Sequence, residues 1–88
     1  MPTTEEYKKM LTEFVQKQMV VLGPNIALSK ARMVSGLQVG DDGSVLGMSG
    51  EPEMIVKILV TEYMVLSGAI TKMVLHSLLE KYPGIKGM

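Results

Sequence analysis

The sequence predicts a mainly α fold: a small helical bundle of short N-terminal helices and one long C-terminal helix, with a small β-hairpin at residues 37–48. Three observations carry this. Apolar residues recur every three or four positions over most of the chain, and Gly23-Pro24, Gly36 and Pro83 punctuate that pattern. One glycine and aspartate cluster separates two short apolar runs. At 88 residues the chain reads as a single domain, 1–88, with a thin core and a frayed tail at 83–88.

Thr3 and Glu6 open the first helix. Their Thr-x-x-Glu spacing lets each side chain bond an otherwise orphaned N–H of the first turn. Tyr7, Met10, Leu11, Phe14, Val15, Gln18, Val21 and Leu22 then form one stripe, with Lys8, Lys9, Glu13 and Lys17 opposite. Gly23 supplies the stop, and Pro24 suits the first position of a second helix because its missing N–H is no loss there. Gly23 and Pro24 are therefore a helix corner. Ile26, Ala27, Met33 and Val34 are expected to face inward, Lys30 and Arg32 outward, and Gly36 ends the helix.

Gly40, Asp41, Asp42 and Gly43 are residue types that accept positive φ or bond their own backbone, so they form the expected turn of the hairpin. A two-stranded hairpin is marginal alone and must lie on a helix or a partner chain. The turn is not a calcium loop. With Gly43 in the sixth position, the first, third and twelfth positions are Gln38, Gly40 and Ser49, none a carboxylate.

From Pro52 to Tyr82 there is no proline, and an unbroken helix would reach about 45 Å, too long for a globule of this size. Ser67-Gly68 is the expected kink, with Gly68 as its weakest helical position, and one helix or two remains open. Extrapolated at 100° per residue, Ile55, Val56, Leu59, Val60, Tyr63, Leu66, Ile70, Met73, Val74 and Leu78 share a face. The opposite side mixes Lys57, Thr61, Glu62, Lys72, His76 and Glu80 with Ile58, Val65, Ala69, Leu75 and Leu79, too apolar to face only water. Two burial surfaces follow, one for the chain's own core and one for another subunit, with Ile55, Leu59, Leu66, Ile70 and Met73 as the expected oligomer interface. No internal repeat is visible.

The composition points the same way. Hydrophobic residues make up 47% of the chain, a surplus for a small monomer, and nine basic residues balance nine acidic ones. Formal neutrality favours self-association and offers no basic field for nucleic acid. No signal peptide is visible in the polar, acidic N-terminus, apolar runs are short, and there is no cysteine. The expectations are a cytoplasmic location and no membrane span.

Little here carries chemistry. His76 is the only histidine and no thiol exists, so no metal, catalytic or cofactor-binding residue is assigned. Met and His could ligate haem, but the nine methionines lie mostly on the Leu and Val stripes and read as core filling. Glu5 to Lys9 and Glu13 to Lys17 are ordinary i,i+4 pairs on a solvated face.

Residues 14–34, "FVQKQMVVLGPNIALSKARMV", resemble a small helical domain of unknown activity appended to bacterial signalling proteins such as Ser/Thr kinases and cyclases. Gly23, Pro24, Ile26 and Ala27 match its Gly-Pro corner, with Asn25 inserted; the glycine-rich stretch that follows departs from it. Residues 37–49 resemble the Asp-Gly hairpin of roadblock-type dimerisation domains, although this chain is short for their full set of strands. Both resemblances imply protein–protein association and neither supplies a catalytic residue. The expected function is a non-enzymatic self-association and protein–protein interaction module in scaffolding or signalling, whose partners are itself and another signalling protein. The alternative is a lipid or cofactor sensor with a Met-rich apolar pocket entered near Gly23-Pro24.

Overall fold

A computed structural model describes residues 3–85. The elements run α1 (Thr4–Leu22), α2 (Pro24–Arg32), β1 (Leu37–Val39), β2 (Val45–Met48) and α3 (Pro52–Lys81), a mainly α bundle with one antiparallel hairpin. The Thr3 hydroxyl accepts from the Glu6 N–H at 3.1 Å and caps α1, and Gly23, at φ 89°, ends it. Pro24 then starts α2 without an intervening loop, so Gly23 and Pro24 form the corner their spacing predicts.

α2 buries Ala27, Leu28 and Ala31. Val34 is also buried, but Ile26 is 50% and Met33 68% exposed, contrary to the inward orientation expected of them. The small face of Ala27 and Ala31 lets α2 approach its neighbours closely and turns the larger side chains outward.

The hairpin pairs Leu37 with Met48, Gln38 with Gly47 and Val39 with Val45, with an irregularity after Gln38. Gly40, Asp41, Asp42 and Gly43 form its turn. The Gly43 N–H donates to the Gly40 carbonyl at 3.0 Å, and the Asp42 carboxylate accepts from both the N–H and hydroxyl of Ser44. The hairpin does lie on a helix: the Val45 N–H donates to Thr12 Oγ1 at 2.9 Å, and Gln16 donates to the Asp42 carbonyl at 3.1 Å. Arg32 closes the other side through Asp41 at 2.7 Å.

α3 is one element interrupted at Ser67, whose φ of −152° and ψ of 64° are not helical. The break sits one residue before Gly68, the position the composition favours. It also solves the length problem, because the molecule is only 32 Å along its longest axis. In residues 52–66, Ile55, Val56, Leu59, Val60 and Tyr63 are buried; in 68–81 the buried positions are Thr71 and Leu78. The break resets the angular phase, so Ile70 and Met73 leave the face on which a continuous helix would place them.

Residues 52–66 run parallel to α1: Tyr7 feels the charges of Glu53 and Glu51, and Phe14 meets Tyr63 edge-on at 5.4 Å. Residues 68–81 fold back antiparallel to α1, with Thr71 beside Gln18 and Lys81 beside Glu13. α2 returns in the same way along residues 52–66, with Ala27 at Tyr63 and Lys30 at Glu62. The chain thus contains two helix–break–helix units that clasp reciprocally. Aligned at the breaks, Val21-Leu22 matches Val65-Leu66 and Ile26 matches Ile70, but few other positions agree, which is why no repeat shows in the sequence.

The buried residues of all five elements form one core, which also takes in Ile85 at 3% exposure. The expected frayed tail therefore excludes Ile85, because its side chain is apolar and finds the core; 86–88 lie outside the described residues.

Gly36 is the tightest backbone position. It has φ 87°, and a Cβ there would sit 2.3 Å from the Ser49 carbonyl oxygen, whose own N–H donates to the Gly36 carbonyl at 2.8 Å. Gly36→Ala is expected to destabilise the fold by at least about 2 kcal/mol, through positive φ and this clash, as a shift in denaturant midpoint without a change in slope.

Candidate functional site

The two helix breaks meet, and the polar groups at their junction are buried. The Tyr63 hydroxyl donates to the Ala27 carbonyl at 2.8 Å, fastening the start of α2 to residues 52–66. Reciprocally, Gln18 Nε2 donates to Thr71 Oγ1 at 3.0 Å, fastening the end of α1 to residues 68–81. A helix break leaves carbonyls of the preceding turn short of donors. The Thr71 hydroxyl reaches back across this break to the Tyr63 carbonyl at 3.3 Å, with Ser67 Oγ at 3.2 Å. Burial pushes the Tyr63 phenol well above its ordinary pKa and keeps it a donor. Gln18 Oε1 is the only buried side-chain polar atom without a partner among the described residues.

Around this buried junction the surface is apolar. Val20 is 87% and Val65 77% exposed, and Val21, Ile26, Leu66 and Ile70 are roughly half exposed; each lies within three residues of a break. The five residues expected at an oligomer interface divide here. Ile55 and Leu59 are buried in the subunit's own core beside Tyr63. Leu66, Ile70 and Met73 are exposed. Sequence periodicity put Val21 on the apolar stripe of α1 and Ile26 inward, and both are exposed. Gln18, an amide within the apolar stripe of α1, was the visible signal of a buried polar contact.

At the opposite side of α1, a shallow groove of about 320 Å³ is lined by Glu5, Lys8, Lys9, Thr12, Glu13, Val45 and Tyr82. It contains no methionine and lies away from Gly23-Pro24. Met10 is fully buried, and Met33, just past α2, and Met54 and Met73, on either side of the break in α3, are exposed. Beside the groove, Glu13 accepts from Lys81 and from the Tyr82 hydroxyl, both at 2.5 Å. The Lys81 and Tyr82 hydrogen bonds hold the Glu13 carboxyl below its ordinary range, and Glu13 pushes the Tyr82 phenol up to about 12. This cluster pins the end of α3 to α1.

His76 is exposed and 3.1 Å from Glu80 Oε1, one turn along the same helix. Among the described residues no three His, Asp or Glu side chains converge as a metal site. By length and composition, α3 meets the requirement for crossing a bilayer, with a mean hydropathy of 1.6 over its most apolar window. The expectation of no membrane span rested on short apolar runs, and α3 meets the length and composition requirement although its apolar runs are interrupted. In this fold the helix is broken at Ser67 and its Tyr63 and Thr71 are bonded within the subunit.

Comparison with family models, with curated proteins and with solved structures found no match.

Two outcomes test the polar clasp. Thr71→Val removes one hydroxyl while keeping the shape, leaving the Gln18 amide and the Tyr63 carbonyl short of partners. A loss of about 1–3 kcal/mol is expected in chemical denaturation. Glu13→Gln tests the pin by pH. A carboxyl with a depressed folded-state pKa contributes stability above its unfolded value, about 4.3, and loses it as pH falls through the folded value. Wild type should therefore melt higher than Glu13→Gln near neutral pH, and the difference should vanish below the folded value.

Proposed function

We propose that this protein is a non-enzymatic self-association and protein–protein interaction module, acting as a cytoplasmic scaffold or signalling component. One observation carries the reading: a tightly satisfied interior coexists with large aliphatic side chains left in water around the helix breaks. A chain this short has few ways to hide apolar surface, and monomeric proteins rarely keep such side chains clustered in solvent without a partner. Each large aliphatic side chain removed from water contributes roughly 1.5–3 kcal/mol, so a few of them offset the freedom lost on association. Zero formal charge adds no repulsion between copies. The likeness of residues 14–34 and 37–49 to parts of signalling-associated and dimerisation domains supports the same role, with another signalling protein as a further partner.

Sedimentation over a wide concentration series should show concentration-dependent assembly; a compact monomer throughout refutes the reading. Leu66 is 43% exposed. Leu66→Asp should shift the assembly toward monomer with helical circular dichroism retained.

A further inference from the structure

Six of the eleven exposed large hydrophobics among the described residues lie beside the two helix breaks; the other five, Met33, Leu46, Met54, Ile58 and Met73, lie elsewhere. Val20, Val21 and Ile26 flank the α1–α2 break; Val65, Leu66 and Ile70 flank the break at Ser67. The contacts of Gln18 with Thr71 and of Tyr63 with Ala27 bring the two breaks together, so these six side chains surround one end of the molecule. Pro24 and Ala69, also exposed, lie between them. Weighted by exposure, this end leaves on the order of 400 Å² of apolar surface in water, taking roughly 100 Å² per large side chain. That approaches the apolar share of the roughly 800 Å² each partner gives to a standard interface.

Charge narrows the choice. No Asp or Glu occurs between Glu13 and Asp41, or between Glu62 and Glu80, whereas Glu5, Glu6, Glu51 and Glu53 gather at the other end, where α1 and α3 begin. Of the cations in those two stretches, Lys30 pairs with Glu62 and Arg32 with Asp41. Lys17 and Lys72 remain, too few for strong attraction to an anionic lipid surface at about 1 kcal/mol each. A two-fold interface demands a patch that accepts itself, and an uncharged aliphatic end built from two like halves does so.

We infer that two copies of the chain pair end to end through the surface around the two helix breaks, with Val20 and Val65 at its centre. This rests on the proposed self-association and fixes its surface and stoichiometry. The test is sedimentation equilibrium of the full chain, of Val20→Asp and Val65→Asp, and of Met54→Asp, whose exposed side chain lies near the start of α3. Circular dichroism confirms that each is folded. The expected result is a wild-type dimer whose dissociation constant rises at least about tenfold in each valine variant and stays within about twofold in Met54→Asp. Wild-type association that survives both valine variants, or that proceeds beyond a dimer, overturns this surface while leaving self-association standing. Wild type that stays monomeric overturns both. Monomeric wild type that floats with anionic vesicles, while Val65→Asp does not, replaces the second copy with a lipid surface.

Discussion

The fold depends on two helix breaks fitting into one another. A bundle of three straight helices with a 30-residue third member would leave its end projecting from the core. Breaking at Ser67 folds that helix back, and Gly23 does the same for the first. Each break exposes backbone polar groups that must be satisfied in a low-dielectric interior. Thr71 does this for the Tyr63 carbonyl, and Tyr63 and Gln18 bridge the junction, each reaching from the helix before one break to the segment after the other. Neither half can close alone, which ties the N-terminal and C-terminal thirds of the chain into one cooperative unit despite a separation of 53 residues between Gln18 and Thr71.

Local features were legible because local chemistry determines them. The Thr3 cap, the Gly23-Pro24 corner and the Gly40 to Gly43 turn each need only neighbours a few residues away. The phase of the second part of α3 was not legible. The site of the break was legible, because Gly68 weakens the helix beside Ser67; its geometry was not, because the contacts among Thr71, Gln18 and Tyr63 that accompany φ −152° form only in the tertiary structure. A projection at 100° per residue carries the face of Ile55 and Leu59 straight through to Ile70 and Met73. One non-helical residue separates them, leaving the first pair in the core and the second in solvent.

The same rotation decides the exposed apolar surface. Residues before the break use their large aliphatics on α1, α2 and the hairpin, while those after it present a polar contact, Thr71, and one aliphatic, Leu78, as fully buried positions. Residues 68–81 therefore dock through Thr71, Leu78 and the Glu13 cluster, with Val74, Leu75 and Leu79 partly buried against the core, while Ile70 and Met73 face outward. The apolar surplus visible in the composition is thus not a loosely packed core. It is surface, concentrated where the chain reverses direction.

That concentration has a physical origin in the reversals themselves. At a break the helices on either side diverge, so side chains of the adjoining turns point away from the bundle axis, and among the described residues Val20, Val21, Val65 and Leu66 are left exposed there. A longer protein covers such a corner with a loop or a further helix. Here the hairpin is committed to the opposite flank of α1, held by Thr12, Gln16 and a Gly43 whose Cβ would lie 2.7 Å from Met19 Sδ. Four of the nine carboxylates lie at the starts of α1 and α3, where the macrodipole favours them, and no charged residue falls within four positions of either break, so the reversal end is uncharged as well as uncovered. An uncharged apolar corner is the cheapest surface on this molecule to dehydrate. The hydrogen bonds of Gln18 with Thr71 and of Tyr63 with Ala27 lie beneath that surface and hold the junction together without drawing on it.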